Sequence, residues 1–346
     1  MNNLYIEDLN NAIVNSIGIK KLYGKSIFIT GACGLIGHFI VDMIMYTNEK
    51  DNANITIIAN SRNKDNLIAN FEKYFESSNF KYYIGDINNE INYDGNVDYI
   101  INCASNTHPR QYALDPINTI LTNIEGTNNV LKFATIKKAI VIFLSSIEIY
   151  GQNINNVGPF KENEMGYIDC NSLRAGYNEG KRAGEALCQA YKEKNNVEVV
   201  IARLPRVYGP TVKNDDSKVI SQFINNALNK ENIILKSEGN QFFSYLYVSD
   251  AVSGIITILT SGKNGEAYNL GNIESDIHLK DLAKIIAKYS GTNVIFDVPT
   301  ETEKKGYSTA TDARLDYSKI SEQLGWKPKY SIDDGIKKTI EILHGI

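Results

Sequence analysis

The stretch Ser26-Ile27-Phe28-Ile29-Thr30-Gly31-Ala32-Cys33-Gly34-Leu35-Ile36-Gly37 decides the fold, because an apolar run gives way in it to three glycines at three-residue spacing. This order is typical of a buried strand, a tight turn and the start of a helix. Gly31 can adopt the backbone angles of the turn, Gly34 leaves room for a pyrophosphate, and Gly37 lets the helix pack closely on the strand. A turn that merely needs glycine would look the same. The flanking strand and apolar helix favour a dinucleotide site whose helix N-terminus attracts phosphate.

Composition and charge exclude several classes of protein. At 346 residues, 43% of them hydrophobic and 22% charged, the chain has the length and composition of a globular enzyme with one large α/β unit and a smaller lobe. Its net charge of −4 provides no bulk attraction for nucleic acid. No apolar run reaches the roughly 18 residues that span a bilayer, and no signal peptide is evident, so we expect no membrane partner. The four cysteines lie far apart without the spacing of a metal site, so we expect neither a metal site nor disulfides. This cysteine usage favours a reducing cytoplasm.

Predicted strands and helices alternate from Ser26 to Arg203. Such alternation with short connections predicts an α/β fold of the Rossmann type, in which helices cover both faces of a doubly wound parallel sheet. After the first strand, we predict strands at 54–59, 80–84, 97–102, 139–144 and 197–203 and helices at 64–76, 116–134 and 174–194. Beyond Arg203 the pattern loosens, with a helix near 217–228 and a short strand at 233–235.

This pattern divides the chain into three parts. Residues 1–24 form an amphipathic helical extension, and residues 25–204 form the NAD(P)-binding domain. Residues 205–346 form mainly a smaller, substrate-binding lobe, from which some segments return to the first domain. We expect ligands to bind outside the carboxyl ends of the parallel strands, where the lobe caps them.

The ends of the second and third predicted strands bear on the choice of dinucleotide. The second strand ends in Asn60-Ser61-Arg62, where an acidic residue would hold the adenosine ribose and repel a 2′-phosphate. The amide and the arginine therefore leave NADP open beside NAD, although an exposed loop arginine would give the same sequence. Asp86, in Gly85-Asp86-Ile87, could accept hydrogen bonds from an adenine amino group or serve only as a turn residue.

Three residue types that suit proton transfer occur in two neighbouring segments. Tyr177 and Lys181 share one face of a predicted helix, where the cation would lower the pKa of the tyrosine from about 10 toward neutrality. A chance tyrosine–lysine pair is common on helices. Ser146, however, ends the preceding predicted strand at the carboxyl edge of the sheet, where its hydroxyl could share a substrate hydroxyl with Tyr177.

The glycine turn, the strand-end serine and the tyrosine–lysine helix, in that order, resemble the short-chain dehydrogenase/reductase superfamily. The chain length and the segments Tyr150-Gly151 and Tyr208-Gly209-Pro210 are similar to its extended branch of nucleotide-sugar epimerases, dehydratases and decarboxylases. Within that branch, residues 25–340 most resemble UDP-glucuronate decarboxylases. The segments with this similarity include Ala104-Ser105-Asn106, Asp115-Pro116-Ile117, 174–182, Tyr247-Val248-Ser249-Asp250 and Leu324-Gly325-Trp326.

The resemblance implies an activity and a set of site residues. Bound NAD would oxidise the C4 hydroxyl of a nucleotide-diphosphate sugar, and the 4-ketone would lose carbon dioxide where C5 bears a carboxylate. The implied catalytic residues are Ser146, Tyr177, Lys181 and Glu148. The expected cofactor-binding residues are Gly31, Gly34, Leu35, Ile36, Gly37, Asn60, Arg62, Asp86, Ile87, Ala104, Asn123, Tyr177 and Lys181. The expected substrate-binding residues are Ser105, Arg174, Arg206, Gln241 and Phe243, with Arg174 a candidate for the sugar carboxylate or a solvated helix-start residue.

At three positions this sequence departs from the pattern of the branch, and these differences bear on the reaction and on the substrate contacts. Ile147 stands where dehydratases have an aspartate and decarboxylases a small polar residue, which disfavours dehydration. Phe243 stands where the branch usually has an arginine that grips the diphosphate, whereas Arg206 replaces a usual asparagine. We hypothesise that one arginine has been exchanged for another in space.

Other functions and an oligomeric state also follow from the resemblance. A 4-epimerase is the first alternative, followed by a 4,6-dehydratase and a 4-keto-sugar reductase. A non-enzymatic dinucleotide-binding regulator is least favoured, because the serine, tyrosine and lysine are all present. Family members commonly pair through two helices, here 116–134 and 174–194, so we expect a homodimer.

Overall fold

The core of the protein is a seven-stranded parallel sheet, as the sequence predicts. The computed structural model describes residues 2–105, 107, 114–153, 158–172, 175–213, 216–297 and 311–345. In it the strands of this sheet lie side by side in the order 267–269, 199–204, 140–146, 99–102, 26–30, 56–61 and 80–84. The strands are apolar on both faces: Phe28 and Ile58 pack in one hydrophobic cluster, whereas Ile27 and Ile57 pack in the other. A sheet with two buried faces must be covered by helices on both sides.

The elements have the following bounds. The strands are β1 (Ser26–Thr30), β2 (Thr56–Ser61), β3 (Phe80–Ile84), β4 (Tyr99–Asn102), β5 (Ile140–Ser146), β6 (Val199–Leu204), β7 (Arg206–Tyr208), β8 (Ile233–Leu235), β9 (Phe242–Tyr247), β10 (Ala267–Asn269), β11 (Asp276–His278), β12 (Val294–Phe296) and β13 (Asp312–Ala313). The α-helices are α1 (Asn3–Asn15), α2 (Leu35–Asp51), α3 (Lys64–Phe71), α4 (Pro116–Leu121), α5 (Thr127–Lys137), α6 (Ala175–Asn195), α7 (Val219–Leu228), α8 (Val248–Ser261), α9 (Leu279–Ser290), α10 (Ser318–Leu324) and α11 (Ile332–His344).

Most predicted elements occur, with shifted ends. Strands β3 and β8 have the predicted bounds, whereas β2 and β4 each begin two residues later than predicted. The helix predicted at 64–76 ends at Phe71 and continues only as a 3₁₀ turn. The single helix predicted at 116–134 is wrong, because a π-helical turn at Thr122–Gly126 separates α4 from α5. This turn buries Asn123, whose amide donates to the Thr119 carbonyl at 2.8 Å.

The C-terminal half contributes to both parts of the molecule. Strand β10 pairs with β6 and completes the large sheet, while α8 packs on β5 and β6. Strands β7, β9, β11 and β13 form a separate small sheet, and β8 pairs with β12. The C-terminal half thus forms the smaller lobe and also supplies one edge strand, β10, of the large sheet.

Helix α1 joins the N-terminal extension to the rest of the fold. It packs against α2 and α8, and its Asp8 is fully buried. The Asp8 carboxylate accepts hydrogen bonds from the Tyr247 and Tyr330 hydroxyls and lies 3.2 Å from the Lys338 ammonium. A buried charge needs such partners, since an unpaired one is strongly destabilising. The extension is thus tied to both β9 and α11.

Among the described residues, no helix is both long enough and apolar enough to cross a membrane.

A second buried carboxylate near this junction makes the stability depend on pH. Asp250, in the first turn of α8, accepts a hydrogen bond from the Tyr330 backbone N–H at 2.9 Å. Desolvation, with a smaller contribution from the nearby Asp8, raises the pKa of Asp250 to about 7. Between about pH 4 and pH 7 the unfolded carboxyl ionises while the folded one stays protonated, so the unfolded state binds fewer protons. The free energy of unfolding therefore falls as the pH rises through this window.

We predict that Asp250→Asn flattens this fall, because the amide keeps an acceptor for Tyr330 and cannot ionise. Urea unfolding at pH 5 and at pH 7.5 measures the difference for wild type and variant. Asp281→Asn, which alters a partly exposed carboxylate in the first turn of α9, is the matched control and should leave the fall unchanged. An Asp250→Asn protein that loses as much stability as wild type between the two pH values contradicts the prediction.

Candidate active site

A large cavity opens at the carboxyl ends of the parallel strands and is lined by residues of both the sheet and the smaller lobe. Its volume is about 1610 Å³. Pockets for one small ligand usually occupy roughly 300–1,000 Å³. The cavity therefore has room for two ligands, such as a dinucleotide and a second nucleotide.

The structure brings nearly all predicted site residues to the walls of this cavity. They are Gly31, Gly34, Leu35, Ile36, Gly37, Asn60, Arg62, Asp86, Ile87, Ala104, Ser105, Ser146, Glu148, Tyr177, Lys181, Arg206, Gln241 and Phe243. Asn123 is not among the lining residues; its side-chain oxygen accepts a hydrogen bond from the Ser105 hydroxyl at 2.9 Å, behind the wall. Arg174 lies outside the described residues.

The glycine turn has the geometry that a bound phosphate requires. Gly31 has a φ of +62°, and a Cβ there would lie 2.9 Å from the Ala104 Cα. A Cβ on Gly37 would lie 2.6 Å from the Gly31 carbonyl oxygen. Gly34 caps α2 without any side-chain hydrogen bond to the first turn. The free N–H groups of that turn therefore face the cavity and can bind a pyrophosphate.

Two of the residues predicted to bind the adenosine half of the dinucleotide already form hydrogen bonds with nearby backbone groups. Asn60 is buried, and its amide donates to the carbonyls of Tyr83 and Gly85 at 3.3 and 2.9 Å. The Asp86 carboxylate accepts from the Asn88 backbone N–H at 2.9 Å, as a turn residue does. Arg62 is exposed at the cavity rim.

Helix α6 brings the predicted catalytic residues together. It packs closely on β5 because Gly184 has no side chain: a Cβ there would lie 2.5 Å from the Phe143 ring. One turn earlier, the Lys181 ammonium donates to the Leu144 carbonyl at 2.7 Å. Ser146, at the end of β5, lies next to Tyr177, where its hydroxyl can donate to the tyrosine oxygen.

Burial shifts the pKa values of both Lys181 and Tyr177. It lowers the pKa of Lys181 to about 8. It raises the pKa of Tyr177 above its ordinary value, with a smaller increase from Glu148 and a decrease from the Ser146 hydrogen bond. The predicted lowering of the tyrosine pKa is therefore wrong for the protein alone. The Lys181 ammonium binds the Leu144 carbonyl and lies 6.0 Å from the centroid of the tyrosine ring, so the desolvation of the phenolate dominates.

The sequence analysis missed some polar residues of the cavity wall. The Ser145 hydroxyl is buried there and has no hydrogen-bond partner among the described residues, so it is available to a ligand such as the nicotinamide end of a dinucleotide. Lys213, Lys218 and Lys236 also line the cavity. These lysines lie in loops without periodicity, so no sequence pattern marks them as site residues. Ser145 could have been found, because it is adjacent to the predicted Ser146.

The two positions of the hypothesised arginine exchange lie in contact. Strands β7 and β9 pair in parallel, which places the Arg206 guanidinium carbon 3.7 Å from the centroid of the Phe243 ring. One guanidinium nitrogen of Arg206 lies 3.5 Å from a Glu148 carboxylate oxygen. An arginine therefore occupies the space beside Phe243, although it comes from the neighbouring strand.

Known proteins resemble this chain in sequence over most of its length. UDP-glucuronic acid decarboxylase 2 of Arabidopsis thaliana is 31% identical over 322 residues, which cover 92% of this chain and 68% of that protein. UDP-glucuronic acid decarboxylase 1 of Xenopus tropicalis is 31% identical over 323 residues, or 91% of this chain and 71% of that protein. These matches agree with the resemblance inferred from the motifs.

A solved structure and a family model complete the comparison. The UDP-glucuronic acid 4-epimerase of Bacillus cereus, solved with UDP-glucuronic acid and NAD, superimposes with a TM-score of 0.76 over 92% of this chain and 98% of that chain. Its sequence is 22% identical, so this likeness shows the fold alone. The model of the NAD dependent epimerase/dehydratase family matches residues 27–271. The chain is therefore an NAD-dependent enzyme that belongs to the NAD dependent epimerase/dehydratase family.

Proposed function

We propose that the protein decarboxylates UDP-glucuronate after oxidising its C4 hydroxyl. The observation behind this proposal is the cluster of Ser146, Tyr177, Lys181 and Glu148 in the same cavity as the glycine turn. The similarity to UDP-glucuronic acid decarboxylases over 92% of the chain supports the choice of substrate. The size of the cavity, about 1610 Å³, is also sufficient for a dinucleotide beside a nucleotide sugar.

In this proposal the chain's own residues orient the sugar and move its protons. Tyr177 takes the proton of the C4 hydroxyl while Ser146 orients the oxygen, and Lys181 provides a buried positive charge nearby. Bound NAD supplies the hydride acceptor and, when oxidised, a positive charge that favours the ionised Tyr177. The resulting ketone is β to the C5 carboxylate. Carbon dioxide would then leave, its bonding electrons would enter the C4–C5 enolate, and C5 would take up a proton from Glu148. Return of the hydride to C4, with the Tyr177 proton returning to the C4 oxygen, would restore the oxidised cofactor, so the product would differ from UDP-glucuronate by carbon dioxide alone.

One residue argues against the dehydratase alternative. Ile147 follows Ser146 directly and is buried in the main hydrophobic cluster. Dehydration needs an acid that protonates the leaving C6 hydroxyl, and an isoleucine has no proton to donate. Epimerisation at C4 needs no such acid, so it stays the first alternative.

We further propose that the protein is a cytoplasmic homodimer without a nucleic-acid or membrane partner. Leu114, two residues before α4, and Ile117, within it, are 71% and 68% exposed. Helix α4 packs on α6, where Ile120 contacts Gly176, so the two helices form one surface. Exposed apolar side chains on such a surface favour a two-fold contact with a second copy. All four cysteines are free thiols, which supports a reducing compartment.

The activity is tested with UDP-glucuronate, with and without added NAD, and with mass spectrometry of the products. We expect a product that is lighter by carbon dioxide. Tyr177→Phe should reduce its formation by about 10²- to 10⁴-fold, because a positioned general base is lost. Tyr191→Phe, farther along α6 and hydrogen-bonded to Asn128, is the matched control and should retain activity. Unchanged substrate, or a C4 epimer that retains its carboxylate, contradicts the proposal.

The homodimer is tested with Ile117→Lys. A charge in the middle of an apolar contact should convert the dimer into a monomer of half the mass, as measured by size-exclusion chromatography with light scattering. Val14→Lys, on α1 and 82% exposed, lies outside the predicted interface and should remain dimeric. A wild-type protein that elutes as a monomer, or an Ile117→Lys protein that stays dimeric, rules out this interface.

A further inference from the structure

Arg206 is held rigidly on the cavity wall. Its guanidinium stacks on Phe243 at 3.7 Å, and Phe243 itself is buried in the main hydrophobic cluster. An arginine fixed by an aromatic surface loses less conformational entropy on binding an anion than a free side chain does. The low-polarity surface below it also strengthens any ion pair that forms on the open side.

Among the described residues, Arg206 uses little of its hydrogen-bonding capacity. A guanidinium has five N–H donors. The contact of Arg206 with Glu148, at 3.5 Å, is longer than the roughly 2.7–2.9 Å of a charge-assisted hydrogen bond. Its Nη1 atom is buried and has no hydrogen-bond partner among the described residues. Buried donors without partners are rare and costly in proteins, so Nη1 points to a missing acceptor.

The position of Arg206 indicates which part of a ligand provides this acceptor. Glu148 lies in the turn directly after Ser146, and its backbone N–H donates to the Ser146 hydroxyl at 3.2 Å. Arg206 therefore lies beside the residues proposed to act at C4 of the sugar. The carbon next to C4 carries the carboxylate in a uronic acid. Other cations also line the cavity, namely Lys213, Lys218, which pairs with Asp216, and Lys236, which pairs with Asp297.

We propose that Arg206 is the specificity-determining residue for an acidic sugar, and that its guanidinium binds the carboxylate of a nucleotide-activated uronic acid. This inference rests on the function proposed above and extends it to substrate selection. The fork of the guanidinium matches a carboxylate in bidentate geometry, and Phe243 holds the fork in place. A hydroxymethyl group at the same carbon carries no charge to pair with the guanidinium and would bind more weakly.

Binding measurements test the inference without turnover when they are made in the Tyr177→Phe background. Calorimetry with UDP-glucuronate, UDP-glucose and UDP, in the presence of NAD, gives the preference for the carboxylate as a ratio of dissociation constants. We expect the Tyr177→Phe protein to bind UDP-glucuronate more tightly than UDP-glucose. In the double variant that also carries Arg206→Gln, this preference should fall by about 10- to 100-fold while the affinity for UDP stays the same. Arg206→Lys should retain part of it, because the charge remains and the fork is lost.

A matched control separates a specific contact from a general loss of positive charge. Lys218→Gln removes one cation from the same cavity and should leave the preference ratio unchanged, even where it weakens all three ligands alike. Equal weakening of all three ligands by Arg206→Gln would overturn the inference, because the arginine would then bind the nucleotide or its diphosphate. A Tyr177→Phe protein without any preference for UDP-glucuronate would also overturn it.

The inference and the proposed reaction can fail separately. Carbon dioxide release by the wild-type enzyme, together with an unchanged preference in Arg206→Gln, refutes the role of Arg206 and leaves the reaction intact. Conversely, a preference that collapses in Arg206→Gln, together with a wild-type product that retains its carboxylate, supports Arg206 and refutes decarboxylation.

Discussion

The candidate active site depends on one buried hydrogen bond, from the Lys181 ammonium to the Leu144 carbonyl at 2.7 Å. Taking an ammonium out of water is costly unless it is hydrogen-bonded, and here the Phe143 ring lies only 4.8 Å from the same nitrogen. The bond requires α6 to approach β5 closely, which Gly184 permits. Once the helix is seated in this way, the preceding turn brings Tyr177 to Ser146 at the end of the strand.

Much of the fold was predictable from the sequence because its causes are local. Gly31 and Gly37 have close backbone neighbours that only glycine tolerates. The strands around them are apolar on both faces, which is typical of strands in a buried parallel sheet. The π-helical turn at Thr122–Gly126 was not predictable in this way. An extra residue in a helix leaves the apolar periodicity on either side almost unchanged, so the pattern of 116–134 resembles one continuous helix.

The candidate site was predictable in its members but not in its electrostatics. A four-residue spacing correctly places Tyr177 and Lys181 on one helix, but it contains no information about which acceptor the lysine finds. The direction of the tyrosine pKa shift depends on burial and on that acceptor, which are properties of the packed structure. The contact between Arg206 and Phe243 likewise depends on the pairing of β7 with β9, two strands that are distant in sequence.

Strand β9 connects the active-site cavity with the N-terminal extension. Near its beginning, Phe243 supports the Arg206 guanidinium on the cavity wall. At its end, the Tyr247 hydroxyl binds the buried Asp8 of α1, which also pairs with Lys338 of α11. A short strand with buried contacts at both ends has little freedom to shift in register or tilt. The helical extension at 1–24 therefore belongs to the structural support of the substrate lobe, since its buried carboxylate holds the far end of the strand on which Arg206 rests.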